Sequence, residues 1–143
     1  MKVLLFGATG RVGSFALEYA LAQGHAVTAV VRDPAKLRQS HSLLRKLAGD
    51  IYQPATLLQA IDPGFEVVLS CVGGNVMRPS TVVADSARLI VELMRQRAIT
   101  RHIVHTGRYA GGYHRISPPD VADFLVTELT ESRYPRQIVG IWS

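Results

Sequence analysis

The chain is poor in cysteine and has no long apolar segment. Cys71 is its single cysteine among 143 residues, which excludes an internal disulfide and favours a reducing compartment. No apolar run approaches the roughly 18 residues needed to cross a bilayer. The N-terminus, where MKVLLF runs straight into glycines, also lacks the cleavage site of a signal peptide. We therefore expect a cytoplasmic protein without a membrane partner.

Charged residues are also scarce, at 19% of the chain against 48% hydrophobic residues. This balance predicts order nearly throughout, and the length fits one domain over residues 1–143 with a substantial core. No repeat, linker or low-complexity segment divides the chain. The net charge of +5 could indicate nucleic acid, but the basic residues are largely dispersed and no nucleic-acid motif is present. We therefore expect no nucleic-acid partner.

The chain does have a regular alternation of apolar strands and amphipathic helices. Strands are predicted at 3–6, 26–31, 48–52, 67–71 and 102–106, with a further strand at 138–142. Helices are predicted at 11–23, 35–47, 54–61, 80–97 and 118–130. This pattern is typical of a doubly wound, Rossmann-like α/β domain with a parallel sheet covered on both faces. The expected strand order is 3-2-1-4-5, with a ligand at the carboxyl ends of the first and fourth strands.

Several helix ends and one helix face can be predicted in more detail. Gly24 is the expected C-cap of the first helix, and Ser117 is the expected N-cap of the last, with Asp120 three residues on. The helix at 80–97 carries apolar residues at helical spacing that we expect to face the core. They are Val83, Ala87, Ile90, Val91 and Met94.

Three glycines follow the first strand at a spacing of three residues, in the stretch GATGRVG. Gly7 would allow a tight turn, Gly10 would let the backbone approach a pyrophosphate, and Gly13 would let the helix pack closely on the strand. The start of that helix offers unpaired N–H groups and the positive end of its dipole. The motif therefore predicts a dinucleotide site, the alternative being a glycine turn that serves packing alone.

Basic residues cluster after the second strand, at Arg32, Lys36, Arg38, Arg45 and Lys46. A doubly wound fold meets the ribose of its cofactor at this place. Part of the cluster would therefore hold a phosphorylated cofactor, unless it is simply a solvated helix face.

Arg32 directly follows the second strand. An acidic residue at this place accepts the ribose hydroxyls of NAD, whereas an arginine pairs with the 2′-phosphate of NADP(H). Arg32 therefore favours NADP(H). Asp33 would take the acidic role if the strand ended one residue later. Arg11, inside the glycine turn, is either a second phosphate contact or an exposed side chain.

In order along the chain, these motifs resemble the atypical short-chain dehydrogenase/reductase superfamily. Within it the chain is similar to the NAD(P)H-binding, NmrA-like type and to the flavin reductase and biliverdin-IXβ reductase family. The segments that carry the resemblance are GATGRVG, VVRDPAKL, AGDIYQPATLLQAI, VVLSCVGG and STVVADSARLIVELMRQRAITRHIV. The resemblance resumes at TGRY and runs through ISPPDVADFLVTEL.

The resemblance implies which residues would bind the pyrophosphate and the 2′-phosphate of the cofactor. Arg32 would hold the 2′-phosphate. The pyrophosphate would lie along the glycine turn, whose residues are Gly7, Thr9, Gly10, Arg11, Val12 and Gly13.

The resemblance also implies the surroundings of the two bases. Asp50 and Ile51 would flank the adenine, with the Asp50 carboxylate accepting from its amino group. Cys71, Val72 and Gly73 would lie beside the nicotinamide ribose. We interpret Cys71 as a buried small hydrophobic residue rather than as a redox thiol.

The second half of the chain departs from the family pattern. The catalytic pair Tyr-x-x-x-Lys is absent, because no tyrosine has a lysine four residues on. A strand–helix unit of about 30 residues or more is missing between the fifth strand and TGRY. Gly107 stands where the biliverdin-reductase branch has a serine, unless that segment has been removed. We therefore expect a shortened sheet and a more open nicotinamide end.

The remaining candidates for chemistry lie at or after the end of the fifth strand. They are Thr106, Tyr109 and His114, with His105 and Tyr113 beside them. Tyr109 or His114 could donate a proton, although both could equally contact solvent or a partner subunit. Hydride transfer to a free flavin or quinone needs little from the protein beyond positioning, because the cofactor carries the reaction.

Two functions of different classes follow from these observations. The first is an NADPH-dependent reductase of a small acceptor such as a flavin or quinone. The second is a non-catalytic NAD(P)H-binding redox sensor, which the missing Tyr-x-x-x-Lys and the shortened second half favour. A shortened sheet would also expose an edge at its fifth strand, so a homodimer through that edge is a further expectation.

Overall fold

The structure, a computed structural model, describes residues 1–73, 81–99, 101–104 and 117–131. Strands and helices alternate through these ranges. The strands are β1 (Lys2–Phe6), β2 (Ala26–Val31), β3 (Leu44–Ala48), β4 (Val67–Ser70) and β5 (Arg101–Val104). The helices are α1 (Arg11–Ala22), α2 (Pro54–Ala60), α3 (Val82–Gln96) and α4 (Pro118–Glu131), with a short 3-10 helix at Pro34–Lys36.

The five strands form one parallel sheet in the order β3-β2-β1-β4-β5. In the central strand β1, Val3 pairs with Val27 of β2 on one side and with Val67 of β4 on the other. The strand order therefore reverses between β1 and β4, which is where a doubly wound sheet leaves a crevice at its carboxyl edge. The predicted fold class and strand order are confirmed.

Each face of the sheet has its own core, because successive side chains of a strand point to opposite faces. Val3 and Leu5 pack in the cluster that contains α1 and α4. Leu4 and Phe6 pack in the cluster that contains α2 and α3. All four side chains are buried, so β1 has no polar face, as expected for the central strand of a covered parallel sheet.

The predicted helix caps are confirmed by their hydrogen bonds. Gly24 has a φ of +78°, and the N–H groups of Gly24 and His25 donate to Leu21 O and Ala20 O, both at 3.0 Å. This is the Schellman arrangement that a glycine after the last turn favours. At the start of α4, Ser117 Oγ donates to Asp120 Oδ2 at 2.6 Å and accepts from Asp120 N at 3.4 Å.

The connection from β2 to β3 corrects two predictions. The helix predicted at 35–47 is limited to the 3-10 helix, and the third strand is Leu44–Ala48 rather than 48–52. Leu44 and Leu47 are spaced as on a helix, but Leu44 pairs with Val27 of β2 and Leu47 with Val30. Pairing with β2 and packing on the two core clusters outweigh the local helical spacing.

The predicted apolar face of α3 is confirmed only in part. Ile90 and Met94 are buried as expected, but Val91 is 38% exposed. Ser86 and Leu93 are buried instead. These four buried residues follow the spacing i, i+4, i+7 and i+8, which places Val91 on the flank of the helix rather than on its core stripe.

Part of the predicted second half lies outside the described residues, including the loop after β5 and the strand at 138–142. The predicted shortening after β5 lies there as well, and association of two chains along β5 stays a prediction. Within the described ranges, α4 packs against α1, on the face of the sheet opposite α3. Among those ranges there is also no helix with the length and apolarity needed to cross a membrane.

Candidate dinucleotide-binding site

A cleft of about 410 Å³ opens at the carboxyl ends of β1, β2, β3 and β4. The residue that follows each of these strands lines it, namely Gly7, Arg32, Gly49 and Cys71. The cleft therefore lies at the point where the strand order reverses, the place where open α/β sheets bind their ligands.

The turn between β1 and α1 has room for glycine alone at two positions. Gly7 has a φ of +79°, and a Cβ there would lie 2.5 Å from Cys71 O. A Cβ on Gly13 would lie 2.0 Å from Gly7 O. Gly10 N donates to Gly7 O at 2.9 Å, which closes the turn. The start of α1 is thereby held directly against the end of β1.

The start of α1 is open to an anion. Gly10 is the N-cap residue, no side chain caps this end of the helix, and its first turn contains no acidic residue. The unpaired N–H groups and the positive end of the helix dipole thus face the cleft mouth, where Thr9 and Gly10 are exposed and line the cleft.

The other predicted residues of the glycine turn lie outside the cleft lining. Arg11 is exposed on the surface of α1, whereas Val12 and Gly13 are buried. Val12 belongs to the core cluster between α1 and the sheet. Val12 and Gly13 could therefore contact a ligand only through their backbone N–H groups.

Arg32 and Asp33 have different surroundings although they are neighbours in the chain. Arg32 is exposed and lines the cleft. Asp33 does not line it, and its Oδ1 accepts a hydrogen bond from Ala35 N at 3.0 Å, which caps the 3-10 helix. Because β2 ends at Val31, the arginine faces the cleft and the carboxylate is used to start the next turn.

The rest of the predicted basic cluster does not join Arg32 at the cleft. Lys46 Nζ donates to Leu37 O at 2.6 Å, and Arg45 forms an ion pair with Asp62. Lys36 and Arg38 are exposed but do not line the cleft. Arg45 and Lys46 lie on β3, the edge strand of the sheet, where charged side chains discourage pairing with another chain.

After β3, a tight turn brings Asp50, Ile51 and Tyr52 to the cleft. Asp50 Oδ1 accepts from Tyr52 N at 3.0 Å, and Asp50 O accepts from Gln53 N at 2.9 Å. Ile51 is buried and Tyr52 is 50% exposed. Asp50 Oδ1 thus forms a hydrogen bond within the turn, whereas Asp50 Oδ2 forms none there.

The segment after β4 forms the far wall of the cleft through Cys71, Val72 and Gly73. Cys71 N donates to Phe6 O at 2.9 Å, which extends the pairing of β1 and β4 to the cleft. Burial raises the pKa of the Cys71 thiol to about 12, so the group stays protonated at neutral pH. The predicted burial of Cys71 is confirmed, and a buried, protonated thiol is a poor nucleophile.

Some residues that line the cleft were not predicted. Phe6 and Val31 end β1 and β2 where these strands were predicted to end, so the expectation of a ligand at the carboxyl ends could have included them and Val30. Gly49 was missed because the end of β3 was predicted further along the chain. Tyr52 and Val82 could not be found from the strand ends. Val82 reaches the cleft because α3 packs on the sheet. The residues are Phe6, Val30, Val31, Gly49, Tyr52 and Val82.

The candidates for chemistry are not among the described residues. Thr106, Tyr109 and His114 lie outside the described residues, as do His105 and Tyr113. The described part of the site contains groups suited to holding a dinucleotide.

The profile of the NAD(P)H-binding family matches residues 7–111 of this chain. The chain belongs to this family. The match begins at the first glycine of the turn and includes the residue that follows each of β1 to β4 at the cleft. It confirms the predicted resemblance to the NAD(P)H-binding, atypical short-chain dehydrogenase/reductase type. The family covers both cofactors and does not separate NAD from NADP.

A maize (Zea mays) relative, isoflavone reductase homolog IRL, is 33% identical over 98 residues. The match covers 62% of this chain and 29% of the maize protein, so the chain spans less than a third of that relative.

Two solved structures share the fold. A Rossmann-fold NAD(P)-binding family protein from Shigella flexneri has a TM-score of 0.74 at 16% identity, covering 93% of this chain and 88% of its own. The oxidoreductase ylbE from Lactococcus lactis has a TM-score of 0.66 at 15% identity, covering 94% of this chain and 65% of its own. At these identities the likeness concerns the fold alone.

Proposed function

We propose that the protein binds NADP(H) and delivers hydride from it to a small acceptor such as a flavin or quinone. The observation that carries the cofactor choice is that Arg32, rather than Asp33, lines the same cleft as the glycine turn. A guanidinium pairs with phosphate through two parallel hydrogen bonds, whereas it offers no acceptor to ribose hydroxyls.

The residues of the cleft fit a dinucleotide in their chemistry. The glycine turn admits no side chain at Gly7 or Gly13, and its exposed end offers backbone N–H groups to a pyrophosphate. Arg32 would hold the 2′-phosphate, and Asp50 with Ile51 would flank the adenine. The cofactor would then extend past Gly10 toward the segment after β4.

The nicotinamide end would lie along Cys71, Val72 and Gly73. When bound, NADPH supplies the hydride, and the protein contributes its position. The protonated thiol of Cys71 serves as an apolar contact there and does not act as a nucleophile. Tyr109 and His114 remain the proposed proton donors for acceptors that need one, and Thr106 remains a further candidate residue for the chemistry.

A second candidate function is a non-catalytic sensor that reports the NADPH/NADP⁺ ratio to a partner. The specific observation in its favour is the absence of a Tyr-x-x-x-Lys pair anywhere in the sequence. In a sensor, the same cleft would bind the cofactor without turning it over.

One experiment separates the two functions. NADPH and NADH are titrated by the fluorescence of the bound dihydronicotinamide, and loss of their near-ultraviolet absorbance is then followed with flavin mononucleotide or a quinone. The reductase predicts oxidation of NADPH faster than in the protein-free control. Tight NADPH binding without turnover across the acceptors would favour the sensor. Failure of the protein to bind either dinucleotide would overturn both functions.

A further inference from the structure

The structure assigns Tyr52 to the cofactor site as the aromatic wall of its base-binding end. The inference rests on the proposed function, because it names the group that would stack on the adenine. Neither the glycine motif nor the family resemblance points to this side chain.

Tyr52 differs from the other exposed apolar side chains of the described residues. Leu43, Tyr52 and Val91 are the large hydrophobic residues exposed in that part of the chain, at 39%, 50% and 38%. Of these, Tyr52 alone lines the cleft at the carboxyl edge of the sheet. An aromatic ring left half exposed in a cleft has apolar area available to a ligand.

The backbone that carries the ring is fixed on both sides. Tyr52 N donates to Asp50 Oδ1 at 3.0 Å, and Gln53 N donates to Asp50 O at 2.9 Å. Ile51 anchors the turn in the core, and α2 begins two residues after Tyr52. The base of the side chain is therefore positioned before a ligand arrives, which lowers the cost of ordering it on binding.

The ring spans the cleft toward α3. Tyr52 Oη lies 3.5 Å from Val82 O, the carbonyl at the start of α3, and Val82 also lines the cleft. This distance is at the long limit for a hydroxyl–carbonyl hydrogen bond. The contact therefore orients the ring only weakly, and the ring face, rather than the hydroxyl, is the group with binding capacity.

The charges around the ring favour a neutral base with a phosphate beside it. Tyr52 and Arg32 follow the neighbouring strands β3 and β2, which pair as far as Val31 with Ala48. Apart from the Asp50 carboxylate, whose Oδ1 accepts from Tyr52 N, the corner of the cleft between them is lined by the apolar side chains of Val30 and Ile51. Adenine is flat and stacks on aromatic rings, while the adjoining 2′-phosphate would face the guanidinium.

The test compares two substitutions that separate the ring from the hydroxyl. Tyr52→Phe keeps the ring and removes the contact to Val82 O, and Tyr52→Leu keeps apolar bulk but removes the aromatic face. Binding of NADPH and of adenosine 2′,5′-bisphosphate, which contains the adenine half alone, is measured by calorimetry. Leu43→Ala is the matched control, because Leu43 is exposed at the amino edge of the sheet, beside Lys2 and Ala26.

We expect Tyr52→Leu to weaken both ligands by about tenfold, with Tyr52→Phe and Leu43→Ala within about twofold of the wild type. In proton NMR, the adenine H2 and H8 signals of the bound bisphosphate should show upfield ring-current shifts in the wild type and in Tyr52→Phe. These shifts should be lost in Tyr52→Leu. A merely structural role of Tyr52 would not produce them.

Three results would overturn the assignment. Wild-type affinity and unchanged adenine shifts in Tyr52→Leu would show that the ring does not contact the base. If Tyr52→Phe lost as much affinity as Tyr52→Leu, the effect would belong to the hydroxyl rather than to the ring. If the wild type bound neither ligand, the proposed function would fail together with this assignment, whereas the first two results leave NADPH binding intact.

Discussion

A difference of one position determines whether the side chain of Arg32 or that of Asp33 lines the cleft. β2 ends at Val31, so the first side chain beyond the strand is the arginine, and the aspartate caps the 3-10 helix. If the strand had continued by one residue, the carboxylate would have stood at the cleft. The local end of a strand can therefore change which charge lines a cleft without any change in composition.

Replacing Arg32 with alanine should weaken NADPH binding far more than NADH binding. A charge-assisted contact to phosphate contributes about 1.5–3 kcal/mol, which is roughly a tenfold to 150-fold change in Kd. Arg38→Ala removes the same charge from an exposed side chain that does not line the cleft, so it serves as the control. Calorimetric titration of both dinucleotides provides the measurement, and equal losses for NADPH and NADH would contradict the role of Arg32.

His25 should make the stability of the fold depend on pH. Its side chain is buried and its Nε2 has no hydrogen-bond partner. Burial, with the positive N-terminus as a smaller cause, lowers the pKa of His25 below its ordinary value of 6.5, and Glu66 opposes this shift. The unfolded chain therefore takes up a proton near pH 6.5 that the folded chain does not.

The sign of the effect follows from that difference in bound protons. Stability from neutral His25 is fully present above pH 6.5 and is lost as the pH falls from 6.5 toward the folded-state value. Urea unfolding across this window should show the free energy of unfolding rising with pH in the wild type, with a smaller slope in His25→Gln. An unchanged slope in His25→Gln would mean that another group causes the pH dependence of the free energy of unfolding.

At the scale of elements, the sequence is most informative where local and long-range preferences agree. β1 and α1 are predicted almost to the residue, because an apolar strand, a glycine turn and an amphipathic helix follow one another directly. β3 is different. Its residues LRKLA have two leucines at helical spacing with two cations between them, and pairing with β2 makes them a strand.

The same contrast explains which residues of the cleft could be predicted from the sequence. Gly7 and Arg32 could be predicted because each has a chemical reason for its residue type, whereas Asp50 was expected only from the family resemblance. The role of Tyr52 could not be predicted, because the position of its ring depends on the turn after β3. The third strand had been predicted at 48–52, a range that includes the residues of this turn. Val82 likewise reaches the cleft through the packing of α3 on the sheet.

The cap of α4 should contribute measurably to stability. Ser117 accepts from Asp120 N and donates to its carboxylate, so Ser117→Ala leaves the first turn of the helix uncapped. We expect a loss of about 1 kcal/mol. Ser14→Ala deletes the same atoms inside α1, where Ser14 Oγ donates to Arg11 O, and it should leave stability nearly unchanged. Urea unfolding of both variants measures the difference, and equal losses would rule out a specific capping role.

On the scale of the whole molecule, the cleft is assembled from four strands that are distant in the chain. Phe6, Val31, Ala48 and Ser70 end these strands, and the parallel pairing brings their ends to one edge of the sheet. A ligand that contacts several of these ends is favoured only when the sheet is formed. Cofactor binding should therefore be linked to folding of the domain as a unit rather than to one loop.

NADPH should accordingly raise the melting temperature of the protein. A ligand at 100 times its Kd stabilises the folded state by about 2.7 kcal/mol, which for a chain of this size is a rise in Tm on the order of 8 °C. Because the chain has a net charge of +5, any polyanion could stabilise it non-specifically, and inorganic pyrophosphate at equal concentration is the control. Differential scanning fluorimetry should show a clearly larger rise with NADPH than with NADH or pyrophosphate. Equal rises with NADPH and pyrophosphate would mean that the cleft recognises charge alone, since a dinucleotide site must also respond to the adenine and ribose that pyrophosphate lacks.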